Sequence, residues 1–280
     1  MAIGEAIKYR NEFIDGFAQT ESILMDRCIE ESIDQGSSVV FDIADLSGEL
    51  PERGVDGRLP RLASSDSQVT VPLKEYGGTF EVTDFERFKS QSDERKKLNR
   101  KIYARVNRRL DRVYIAALNA ATTEWASGAA ITVNIDTITS IIAELGEAQI
   151  AVNPEDVTWV VTPKMYGKLE TLTPFTSSDF IDTKPLAGSD SGKFTNKRKI
   201  KAWSQVGWCV SPLLPGLGTS TATTFLYHRN ALGCARPSGQ MMYTAGFDNQ
   251  HHYHYVSGTV KAAAKILQDG GIIKVTHADA

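Results

Sequence analysis

From Asp84 to Ser127 the sequence contains neither glycine nor proline. Thr83 or Asp84 can cap the start of this stretch by accepting a bond from a first-turn amide. Phe85, Phe88, Leu98, Ile102, Val106, Leu110, Val113, Ala117 and Leu118 recur mostly at steps of three and four, which puts them on one stripe. The spacing predicts a single helix over about 84–124, roughly 60 Å long at 1.5 Å per residue. Few compact domains need a rod of that length. Its charge is also set apart. Between Asp84 and Arg112 there are eleven Lys/Arg and five Asp/Glu, a local +6 in a chain of net charge −3, so the remainder carries −9. A solvated helix face laced with i,i+4 pairs is the ordinary reading of such a run. The sharper reading is a surface that faces phosphate, carried by Arg95, Lys96, Arg100, Lys101, Arg105, Arg108, Arg109 and Arg112.

With 280 residues, 41% hydrophobic and 23% charged, the chain is long enough for a substantial core in one elaborated domain or two small ones. Its near-neutral total excludes a uniformly basic nucleic-acid binder. Cys28, Cys209 and Cys234 are odd in number and far apart, which excludes a fully paired disulfide framework and any CxxC motif; three buried free thiols are expected. Lys8, Arg10, Glu12 and Asp15 interrupt every apolar stretch at the start, so neither a signal peptide nor a membrane span is expected.

Residues 1–37 carry Ile3, Ile7, Phe13, Ile14, Phe17, Ile23 and Leu24 at roughly helical spacing, weakened by Gly4 and Gly16, and read as an amphipathic arm or an ordinary core helix. Residues 38–46 have strand character, and so do Val69–Val82, broken by Gly77-Gly78; between them lies a polar stretch with Pro51, Pro60 and three glycines. That is a long two-stranded excursion with a turn-rich tip. Two strands alone bury little, so it is either a flexible surface loop or an element that rests on something outside its own domain. From about 130 to 245 helices and strands alternate. Asn134 or Asp136 starts a helix, VTWVVT at 157–162 is a buried strand, and Pro163 suits the first turn of the next helix. Residues 173–199 form a long polar loop. The strands at 200–210 and 224–228, HHYHYVSGTVKAAAKI and GGIIKVT follow.

Motifs for catalysis fail on inspection. GSDSGK at 188–193 has one residue too few for a phosphate loop, and Phe194 stands where Ser or Thr would hold magnesium. Asp190 occupies the serine position of a nucleophile elbow. Thr221 replaces the third glycine after Gly216 and Gly218. On a strand His252 and His254 would share one face and His251, Tyr253 and Tyr255 the other; a metal site would need a third ligand. No catalytic residue, metal or cofactor is therefore assigned.

The order of elements, with KLNRKIYARVNRRLDRVYIAALNAAT, VVTPKMYGKLE, FLYHRNALGCA and VSGTVKAAAKILQDGGIIKV, resembles the major capsid proteins of tailed bacteriophages. The resemblance covers nearly the whole chain and implies an α+β, Hong Kong 97-type capsid fold. Its parts would be an N-arm at 1–37, an extended E-loop hairpin at 38–82, a P-domain spine helix at 83–127, an A-domain at 128–245 and returning P-domain strands at 246–280. It further implies a non-enzymatic subunit that assembles with copies of itself, as hexamers and pentamers, into an icosahedral shell around double-stranded DNA. The virion is then the location, and assembly takes place in the host bacterial cytoplasm. Glu49, Glu52, Arg53, Val55, Arg58, Leu59, Arg61 and Leu62 would contact the neighbouring subunit, and Gly77 and Gly78 would form a hinge. Residues 43–73 contain no lysine, so the covalent cross-link that some members make from this loop is not expected. The chain starts almost directly with the arm, which implies a separate scaffolding protein beside a portal and decoration proteins. A nanocompartment shell protein of the same fold is one alternative. A metal-dependent hydrolase using His251, His252 and His254 is another, of a different class.

Overall fold

The computed structural model describes residues 19, 21–33, 36–44, 66–83, 94–148, 150, 152–172, 201–237 and 242–279. Helix α1 runs over Glu94–Leu118, about 37 Å. It ends six residues earlier than the spacing predicts. The amides of Ala120 and Ala121 fall back onto Ala117 O and Leu118 O, which tightens the last turn. The amide and hydroxyl of Thr122 then both bond to the carboxylate of Asp269. This partner is 147 residues away, and so invisible to local periodicity.

The strands are β1 (Ile29–Ile33), β2 (Ser38–Ile43), β3 (Ser67–Pro72), β4 (Lys74–Thr83), β5 (Val157–Val161), β6 (Lys201–Trp203), β7 (Val206–Val210), β8 (Ala222–His228), β9 (Leu232–Pro237), β10 (Met242–Asp248), β11 (Tyr253–Ile266) and β12 (Ile272–His277). One sheet runs β1-β9-β11-β10, and β4 also pairs with β11. The second runs β12-β8-β5-β7-β6, and β2 and β3 form a ribbon of their own. β5 and β7 are parallel, and the other pairs of that sheet are antiparallel.

The apolar stripe of α1 packs first on the first sheet and then on residues of both sheets. Leu98 and Ile102 meet Val256, Phe80 and Val82. Further along, Leu110, Tyr114, Ile115 and Leu118 join Leu24, Cys28, Phe225 and Leu232 in the largest core. The second sheet carries helix α2 (Ile135–Glu147) and helix α3 (Pro163–Glu170). Asn134 caps α2, its side chain accepting from Thr137 N at 2.7 Å. Thr162 caps α3, with Pro163 in its first turn, where a missing N–H costs nothing. The buried Trp159 and Trp208 stack at 4.8 Å between these layers. Ser204 and Gln205 both adopt positive φ, the geometry of a two-residue hairpin turn between β6 and β7.

Three expectations change. The helical pattern of the arm does not extend to residue 33, because β1 is a strand parallel to β9. Gly77-Gly78 does not break the strand: the two residues pair with Thr259 and Gly258 inside β4, and the interruption falls at Leu73, after Pro72. A Cβ at Gly77 would come within 2.7 Å of the Thr259 methyl, so glycine there serves close strand pairing. Finally, the base of the hairpin rests on its own molecule. Val39, Phe41 and Val71 pack against Ala235 and Ala263, and the Lys265 ammonium donates to Thr70 O at 3.2 Å. The tip, 45–65, lies outside the described residues, as do the arm at 1–18 and the polar loop at 173–200.

Candidate assembly and nucleic-acid surfaces

Lys101, Arg105, Arg108 and Arg112 follow one another along α1 at steps of four, three and four, which makes them one ridge. Lys101, Arg105 and Arg112 are exposed and Arg108 is half-buried, its Nε donating to Ala104 O at 3.2 Å. Lys96 and Arg100 are exposed nearer the helix start; the side chain of Arg95 lies outside the described residues. The ridge is not wholly given to solvent. The Arg105 guanidinium sits 4.4 Å from the centre of the Phe80 ring, Lys101 Nζ sits 5.8 Å from the same ring, and Arg109 lies 4.2 Å from the Tyr76 ring. Each such contact is worth about 0.5–1 kcal/mol at an exposed site. Together they fasten the outer strand β4 to α1.

Between these contacts runs a groove of about 470 Å³, lined by Tyr76, Gly78, Phe80, Arg105, Arg109 and Gly258 among others. Gly78 and Gly258 are directly paired and supply no side chain to fill it; a Cβ at Gly78 would meet nothing within 4 Å. The two proposed hinge glycines therefore belong to a hydrogen-bonded strand beneath α1. Glu49, Glu52, Arg53, Val55, Arg58, Leu59, Arg61 and Leu62, expected to contact a neighbouring subunit, all lie outside the described residues.

The far face of the first sheet differs in charge. Strand alternation puts Tyr253, Tyr255, Ser257 and Thr259 there with the exposed Glu75, Thr79 and Glu81. One side of this layer is thus cationic, and the other is rich in hydroxyls and carries Glu81 and the pair Glu75 and Lys261.

Only part of the histidine cluster sits on a strand as expected: His254 lies in β11. His251 and His252 belong to the turn between β10 and β11, with His252 at φ 54°. The Asp248 carboxylate holds this turn. It accepts from Gln250 N at 2.7 Å and His251 N at 3.2 Å, and lies 3.2 Å from His251 Nδ1. The His251 bond is the main cause that keeps the Asp248 carboxyl below its ordinary pKa. His254 faces the Phe247 ring at 4.7 Å. Among the described residues no three His, Cys, Asp or Glu side chains group as a metal site, and no helix is long and apolar enough to cross a membrane. Cys28, Cys209 and Cys234 are buried thiols that form no disulfide, and burial raises the Cys234 thiol well above its ordinary pKa.

One residue that sequence reasoning passed over organises the root of the arm. Asp111 is fully buried. Its carboxylate accepts bonds from Gln19 Nε2, the Ser22 hydroxyl, Ile23 N at 2.9 Å and Leu24 N at 3.3 Å. A lone acid after sixteen residues with none, Arg95 to Leu110, was its only local signal.

A family model described as phage capsid protein matches residues 7–279. The capsid of cyanophage P-SCSP1u superposes with a TM-score of 0.73 at 14% identity, over 99% of this chain and 94% of that one. The capsid of Ralstonia phage GP4 gives 0.71 at 14% identity over 99% and 96%. A chain of Mycobacterium phage Che8 gives 0.70 at 14% over 98% of each. No curated protein matches the sequence.

Proposed function

This chain belongs to the phage capsid protein family, and from that premise we propose that it is the major capsid protein of a tailed phage, a subunit that forms pentamers and hexamers and encloses double-stranded DNA without catalysing a reaction. The observation that carries the reading is the family match over 7–279. The likeness in fold to capsid chains along nearly the whole length supports it. In this reading 1–37 is the N-arm, 38–82 the E-loop, 83–127 the spine, 128–245 the A-domain and 246–280 the returning P-domain strands. Residues 45–65 lie over a neighbouring copy, with Glu49, Glu52, Arg53, Arg58 and Arg61 supplying polar contacts and Val55, Leu59 and Leu62 apolar area. Many modest contacts repeated by symmetry then stabilise a closed object. A scaffolding protein, a portal and decoration proteins are its expected partners, and the host cytoplasm is where it assembles.

The α1 ridge would face the packaged DNA through phosphate contacts that carry no sequence information. Lys101, Arg105 and Arg109 also fasten β4, so the clean test spares them. Neutralising Arg108 and Arg112 to glutamine should leave shells of normal size and lower nuclease-protected DNA per shell severalfold. Unchanged DNA content would remove the ridge from the interior surface. Absence of DNA from native particles, with a protein cargo in its place, would favour a nanocompartment.

A further inference from the structure

β12 ends in a buried polar cluster that plays no part in the shell reading. The Thr162 hydroxyl donates to Asp279 Oδ1 at 2.8 Å, and its oxygen accepts from Met165 N at 3.2 Å. His277 Nε2 lies 3.0 Å from the same oxygen and 3.4 Å from Asp279 Oδ1. Asp279 Oδ2 accepts from Gly218 N at 2.8 Å, and Asp279 N donates to Thr219 O at 2.8 Å. Lys164 and Lys168 of α3 donate to the backbone oxygens of Asp279 and Ala278. Thr162, His277 and Asp279 are at most 1% exposed. Residues 277–279 therefore knit together three pieces: the start of α3, the 216–219 turn and the end of β12.

The arrangement tolerates one protonation state of His277. The Thr162 proton goes to Asp279, so the His277 bond to Thr162 is made by an Nε2–H, and Nδ1 carries the lone pair. That Nδ1 is buried without a hydrogen-bond partner. Protonation would place both a charge and an N–H there, where the Ala222 backbone gives some support but no well-formed hydrogen bond is made. We propose that the Thr162–His277–Asp279 cluster is an acid-released latch: protonation of His277 frees residues 278–279 from α3 and from the 216–219 turn.

The surrounding charges are consistent with this. Asp279 faces the Nε2 side and favours the charged ring, while Lys168 opposes it. Lys164, the other cation of the cluster, bonds to Asp279 O. Ala222 of β8 and Ile131 pair with His277 and bring no charged side chain, though the Ala222 backbone gives the charged form some support. Burial outweighs these and lowers the His277 pKa below 6.5. A group depressed in the folded state adds stability that is complete above its unfolded pKa and declines as pH falls. The loss therefore begins near 6.5. Asp279, also depressed, from 3.8, adds its own loss only in far more acidic solution.

The test is amide hydrogen exchange by mass spectrometry on the full chain from about pH 7.5 to about pH 5, corrected for the intrinsic rate, in wild type and His277→Gln. Gln keeps a neutral N–H near the Nε2 position. In wild type the opening equilibrium of 216–222 and 275–280 should rise with acid, approaching tenfold per pH unit for one linked proton. In His277→Gln it should stay level. Parallel curves would overturn the proposal. Should His277→Gln not fold, C2-hydrogen exchange of the wild-type imidazoles decides. A His277 midpoint below those of the exposed His251 and His252 supports the latch, and an equal or higher midpoint sinks it.

Discussion

Deleting residues 48–66 is expected to abolish closed shells while leaving the chain folded. The ladder of β2 and β3 ends at the pair Ile43 and Ser67, so the deletion leaves Ala44–Ser47 to close the ribbon. A four-residue loop is an ordinary hairpin connection. The described core residues packed around α1, and between α2, α3 and the second sheet, are all retained in the deleted chain. The ribbon keeps its seat on Ala235 and Ala263. Fold and stability should therefore change little, whereas the contacts proposed to reach the next subunit disappear with the tip. Near-ultraviolet circular dichroism would follow the fold through Trp159 and Trp208, and sedimentation would follow assembly. Full-sized shells from the deleted chain would show that the tip does not make the inter-subunit contact.

The second large effect is one of stability. Asp111→Ala should destabilise the unassembled chain by about 3–5 kcal/mol, because a buried acceptor is removed and its donors are left behind. The Ile23 and Leu24 amides and the Ser22 hydroxyl all point at that carboxylate. Each orphaned donor costs about 1–3 kcal/mol where water cannot replace the lost partner. Partial solvation of the half-buried Gln19 keeps the sum below the simple total. Asp111→Asn retains one acceptor oxygen and should lose less. Urea unfolding measures both. A loss under about 1 kcal/mol for Asp111→Ala would mean that segment 19–24 finds other acceptors. A normal assembly rate in a strongly destabilised Asp111→Ala would show that this anchor serves folding alone.

Local patterns were readable where the cause is local. Asn134 as a cap, Pro163 in a first turn, the buried strand at 157–161 and the apolar stripe from Leu98 to Leu118 all follow from neighbours within a few positions. Misreadings arose where a distant partner decides. β1 is a strand because β9, about 200 residues later, offers it a parallel edge. Gly77-Gly78 stays in a strand because Gly258 and Thr259 stand opposite. α1 stops at Leu118 because Asp269 captures Thr122. β10 was missed altogether: MYTAGFD has little β-branched character and is held by β11. The basic ridge was legible as charge but not as geometry. Nothing in the spacing of Arg105 and Arg109 says that aromatic rings of β4 lie beneath them.

Self-assembly through the segment near 45–65 is the premise of the functional account, and an electron cryomicroscopy reconstruction of particles formed by the purified chain tests it most directly. The account predicts a closed shell of pentamers and hexamers in which this segment lies across the adjacent copy. A monodisperse monomer, or a shell in which the segment folds back over its own β2–β3 ribbon, would contradict it.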